Sequence, residues 1–171
     1  MTGRDEEAIT WAKRSVSVVE KQPEVWGLLG TLYEHTGATE KALNAYEKAL
    51  EYGGNGAYTG TNYAELLIRL QRYPDAANEI QKLQAAYPDD PLVNRAFGKL
   101  YRAEGKDAQA ETYLRRSIRL DSTDPQTHYA LAQIMHRQGR TQEEREEIKA
   151  FKNSKEKAQS IRILELVDNP N

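Results

Sequence analysis

The chain has no cysteine, which excludes a disulfide frame, a thiolate zinc site and a thiol nucleophile. Histidine is almost as scarce. His35, His128 and His136 are the only three, and the last two stand eight residues apart, not at the i, i+4 spacing that chelates a metal from one helix face. No apolar run approaches the roughly 20 residues that span a bilayer, and the start Met1-Thr2-Gly3-Arg4-Asp5-Glu6-Glu7 has none of the apolar stretch of a secretory signal. A soluble chain of the cytoplasm or periplasm is therefore expected, with no direct membrane insertion. The glycine-rich segment Tyr52-Gly53-Gly54-Asn55-Gly56 lacks the Gly-Lys-Ser/Thr of a phosphate loop and reads as a flexible turn. Carboxylates are plentiful, but nothing sets two of them apart as an acid and base pair. With no nucleophile–base or metal constellation, the expectation is a protein that is not an enzyme and uses no cofactor.

Charge of one sign is also missing. The net charge of −2 argues against nucleic acid as a partner. It conceals an asymmetry: residues 1–90 hold 9 Lys/Arg against 14 Asp/Glu, residues 91–171 hold 15 against 12. The two ends should present opposite fields.

What the chain does have is a repeat of period 34. Trp26, Gly60, Asn94 and His128 share one phase; Leu29, Tyr63, Phe97 and Leu131 share a second. Small residues hold two more, Gly30, Ala64, Gly98 and Ala132 in one, and Ala8, Ala42, Ala76 and Ala110 in the other. Such a pattern marks one supersecondary unit stacked on copies of itself, since no unit alone buries its apolar face.

Within each period the apolar residues fall at helical spacing. Trp26, Leu29, Gly30 and Tyr33 recur at i, i+3, i+4 and i+7; Ala42, Ala45, Tyr46 and Ala49 repeat the stripe in the following helix. Pro23, Pro91 and Pro125 open first helices, where the missing N–H is harmless, and Asp90 and Asp124 precede two of them as caps. Gly37, Gly105 and Gly139 close first helices as left-handed terminators. This predicts an all-α protein with helices at about 4–20, 23–36, 39–52, 57–70, 73–86, 91–104, 107–120, 125–138, 141–153 and 155–167, each boundary good to about 2–4 residues. Thr141-Gln142-Glu143-Glu144 reads as a capping box.

The stretch from Pro23 to Tyr33, followed by Ala42, Tyr46 and Ala49, resembles the tetratricopeptide repeat (TPR) family over roughly residues 4–153. The last repeat, from His128 to Arg140, looks like generic bacterial members found in cell-envelope and assembly systems. The resemblance implies a right-handed superhelical solenoid of helix-turn-helix hairpins. Residues 1–171 are then a single domain: an incomplete repeat at 4–22, repeats at 23–56, 57–90, 91–124 and 125–153, and a capping helix at 155–167 carrying Ala158, Ile161, Leu164 and Val167. Gly60, Asn94 and His128 depart from the family's tryptophan, and Glu144 departs from its alanine.

The resemblance further implies a protein-interaction scaffold whose first helices line a concave groove. The family's groove positions fall here on Glu24, Thr31, Glu34 and His35, then on Asn62, Glu65 and Arg69, then on Arg95, Lys99 and Arg102, and last on Tyr129, Gln133, His136 and Arg137. Arg69, Arg95, Lys99, Arg102 and Arg137 should make a continuous positive strip suited to an acidic peptide or helix. One subset of the family clamps terminal carboxylates with a Lys and Asn set, of which only Asn62 is matched; Gly27, Thr31, Leu92 and Ala96 depart from it, so that partner is disfavoured. A second expectation concerns the amino-terminal edge. Ala8 and Ala12 fit a second helix whose own first helix is absent, so the chain reads as a fragment of a longer array or as one half of a homodimer joined around Ile9 and Trp11.

Overall fold

A computed structural model describes residues 3–54 and 56–168, with the side chains of Ala158 and residues 161–168 also outside the description. Among the described residues there are nine α-helices and no strand. They fall into two compact units, Met1–Pro88 and Asp89–Asn171.

The first unit holds α1 (Gly3–Val18), α2 (Pro23–His35), α3 (Thr39–Glu51), α4 (Ala57–Arg69) and α5 (Tyr73–Ala86). The second holds α6 (Pro91–Ala103), α7 (Asp107–Leu120), α8 (Pro125–Arg137) and α9 (Thr141–Asp168). First helices begin at 23, 57, 91 and 125 and their partners at 39, 73, 107 and 141, so the period in the sequence is also the period of the hairpins. Asp90 accepts hydrogen bonds from the N–H groups of Leu92 and Val93, and Asp124 from those of Gln126 and Thr127, which satisfies donors that a helix start leaves open.

Small residues bring the paired helices together. Ala42, Ala64, Ala76, Ala110 and Ala132 are all buried, and a methyl built on Gly30 would run into the Tyr46 ring. At Gly98 the same methyl would lie 2.5 Å from Leu114. Tyr46 and Leu114 are themselves fully buried, so each occupies the space its glycine leaves.

Three expectations are corrected. Residues 141–153 and 155–167 are not two helices: α9 runs unbroken from Thr141 to Asp168. Asn153 and Ser154 only weakly disfavour a helix, and without glycine or proline they do not end one. The side chains of Ala158, Ile161, Leu164 and Val167, offered as the face of a capping helix, lie outside the described residues. The capping box is not formed either. Thr141 is already inside α9, its hydroxyl turns back to the Gly139 carbonyl, and the Glu144 carboxylate accepts from His136 instead. Lastly, Ile9 and Ala12 are not left uncovered, because Ala12 is buried with Leu29 and Ala45 and Ile9 packs against that cluster.

Candidate groove on the first helices

In the first unit, Asn62 lines a small cavity of about 210 Å³ with Thr31, Glu34, His35, Tyr46 and Tyr58. The cavity floor is a hydrogen-bonded set: the Tyr46 hydroxyl donates to Glu34 and Arg69 pairs with the same carboxylate. Burial first, and then the bond to Glu34, raise the Tyr46 pKa above that of a free phenol. Glu65, also half-buried, follows on the same helix. The candidate groove phases also hold two residues outside the polar set. Leu28 and Tyr58 occupy those phases and are 51% and 63% exposed, apolar surface that the period alone would have found.

In the second unit the candidate residues separate by role. Arg95 sits 2.9 Å from Asp124 with both side chains nearly buried, so it fastens the start of α8. Burial acts to raise the Asp124 carboxyl, but the charge of Arg95 and the hydrogen bonds from Thr127 and Arg95 outweigh it and hold the pKa below the ordinary range. Lys99 is half-buried on the same helix. Arg137 pairs with Asp107 and His136 with Glu144. Of the five cations of the expected strip, Arg69, Arg95 and Arg137 therefore each hold an acid of the fold.

Arg102 is different. It lines a cavity of about 410 Å³ with Tyr129, Ala132, Gln133, His136, Arg137, Ile148 and Glu144, whose carboxylate pairs with His136. Five of the fourteen candidate groove residues thus meet in one place. The Arg102 guanidinium donates to the neutral Gln133 amide, its Nε is buried with no hydrogen-bond partner, and among the described residues no carboxylate lies within 4 Å of it. Burial, with the charge of Arg137 second, pulls its pKa below the usual arginine value. Such a cation lacks the anion that would offset its desolvation. Tyr129, 45% exposed and in ring contact with Phe151 at 5.5 Å, offers an apolar wall beside it.

At the amino-terminal edge, Trp11 is 61% exposed and Val18, one heptad further along α1, is 79% exposed. Ile9 faces the other way, into the unit. Among the described residues no group of three His, Asp or Glu is placed to hold a metal ion, and no helix is long and apolar enough to cross a membrane.

Known proteins carry the same architecture. Anaphase-promoting complex subunit 3 of Schizosaccharomyces pombe is 26% identical over 101 residues, which is 59% of this chain and 15% of that protein. Type IV pilus assembly protein PilF of Pseudomonas aeruginosa is 22% identical over 138 residues, 80% of this chain and 55% of that one. The chain therefore spans about half the length of one of these relatives and less than a fifth of the other. Among solved structures, PilW, described as a widely conserved type IV pilus biogenesis factor, superposes with a TM-score of 0.77 at 22% identity, covering 89% of this chain and 70% of that one. A thermophilic TPR protein of Thermus thermophilus gives 0.80 at 19% identity, covering 94% and 88%. The family model described as Tetratricopeptide repeat matches residues 6–156, and the chain belongs to that family.

Proposed function

We propose that this protein is a non-enzymatic scaffold, working outside the bilayer in cytoplasm or periplasm, that takes a carboxylate-bearing peptide or helix of a partner protein against its first helices. The observation that carries this reading is Arg102, a half-buried cation in a concave cavity with no acid of its own. A carboxylate of the partner would supply the missing charge, while its neighbouring side chain would lie on the Tyr129 ring. Gln133, His136 and Arg137, which line the same cavity, would give polar contacts to the bound segment. Arg102, with no carboxylate of the described residues within 4 Å, calls for one well-placed carboxylate and not a long acidic tract. Panning a displayed peptide library on the protein tests this. Recovered sequences should share an acidic residue or a free carboxyl terminus and lose binding to an Arg102→Gln variant; recovery of sequences without a carboxylate, bound equally by both forms, would refute it.

A second reading is favoured by Trp11 and Val18, which present exposed apolar surface on one face of α1. In that reading the protein is a structural module that self-associates along α1. Sedimentation should then show a dimer that Trp11→Glu shifts to monomer; a monomeric native protein at all concentrations removes the reading.

A further inference from the structure

On the side of α2 away from the groove residues, α1 and α3 both pack on α2 without their backbones meeting, and a trough of about 670 Å³ opens between them. Trp26 and Tyr33, on one face of α2, lie along its floor above the buried Leu29, and Val16 of α1 forms an apolar wall. The volume lies within the range of small-molecule sites, and the lining sets the apolar and aromatic side chains of α2 and Val16 among five charged groups.

The two ends of the trough differ in charge. At the Trp26 end, Lys48 Nζ lies 4.4 Å from the centre of the indole and 3.8 Å from Glu20, so its charge is already engaged. The Glu20 carbonyl accepts from the indole N–H at 2.7 Å, which fixes the ring. At the Tyr33 end stand Lys13 and Lys41, both exposed and, among the described residues, without a carboxylate within 4 Å; Lys41 lies 5.9 Å from the Tyr33 ring. Among the described lining residues Glu40 is the one acid at that end, against two lysines, so the balance there is positive.

We propose that this trough is a binding site for a small amphipathic carboxylate, with its carboxylate on Lys13 and Lys41 and its apolar body laid along Tyr33 and Val16 toward Trp26. Seven residues of α-helix separate Tyr33 from Trp26, about 10 Å at the helical rise, which sets the ligand as a medium-chain acid. The two lysines select the anion, and the fixed indole closes the far end. Nothing in this assignment depends on the groove at Arg102.

Octanoate is the probe. In a Trp11→Phe background Trp26 is the only indole, and its emission should change saturably on titration. Affinity should rise about fourfold per methylene from hexanoate to octanoate and flatten in longer chains once the floor is covered. Octanol should bind at least tenfold more weakly than octanoate, and Lys13→Glu with Lys41→Glu should abolish that preference while leaving octanol binding intact. The site is refuted by no saturable response at millimolar octanoate, by equal affinity for octanoate and octanol, or by an unchanged octanoate affinity in the charge-reversed protein. Protection of Trp26 only by an acidic helical peptide would likewise overturn it in favour of a protein ligand.

Discussion

Gln71 stands at φ 59°, in the turn where the hairpins containing Gly37, Gly105 and Gly139 have glycine at φ 73°, 76° and 69°. An L-residue there meets its own carbonyl, a strain of about 1–2 kcal/mol that glycine avoids at the expense of extra freedom in the unfolded chain. Gln71→Gly should therefore raise stability by about 0.5–1 kcal/mol in urea titration. Gly30 makes the opposite case. Gly30→Ala drives a methyl into the buried Tyr46 ring and should cost about 1–3 kcal/mol, much of it recovered when Tyr46 is also shortened to Leu. The period made these glycines and the caps Asp90 and Asp124 legible in the sequence. The partners of Arg69 and Arg95 were not, because Glu34 and Asp124 lie 35 and 29 residues away and meet them only when neighbouring hairpins stack in register. A rule of phase says which residues face a groove, not which of them the fold itself neutralises.

At the scale of the element, α9 is the one helix whose extent the sequence pattern misplaces. Its charged sequence hides how it is held: Arg140 joins Glu111 to Glu143, Phe151 meets Tyr129, and His128 lies between Glu147 and the Ser122 carbonyl. His128 occupies the phase of the family's tryptophan and is nearly buried, with Nδ1 2.7 Å from the carboxylate and Nε2 3.1 Å from the carbonyl. Both ring nitrogens therefore face acceptors, an arrangement that suits the doubly protonated ring. The hydrogen bond to Glu147 is the largest cause of a pKa raised above that of free histidine; burial opposes it, and the Ser122 carbonyl and the Asp124 charge add to it. A raised pKa in the folded state contributes stability that is fully present below the unfolded value near 6.5 and is lost as pH rises through the folded value. Amide exchange in α9 should accelerate over that window. In Glu147→Gln the acceleration should shrink; an unchanged profile in that variant would show that the pH dependence arises elsewhere.

For the whole molecule, the hairpin architecture and the family could be read from the sequence, since one period governs every first and second helix. The distribution of charge could not. Counting lysines and arginines on groove phases suggests a strip, whereas the fold assigns acids to Arg69, Arg95 and Arg137 and, among the described residues, none to Arg102. Arg95 is a poor position for testing recognition, because reversing it would expose Asp124 and loosen the start of α8. Arg102 is the better one: it touches the cavity and caps no helix. Exposed ion pairs contribute about 0.2–1 kcal/mol, while a desolvated pair that loses one partner loses about 2–5 kcal/mol. A half-buried arginine should fall between these limits. The direct measurement is the dissociation constant of the natural partner, captured through a photo-crosslinking residue at Tyr129, for the native protein and for Arg102→Gln across a series of salt concentrations. Binding should weaken about tenfold in the variant, with a smaller dependence on salt and an unchanged thermal unfolding curve. Equal affinity of the two proteins at every salt concentration, with the fold intact, would contradict a recognition role for Arg102.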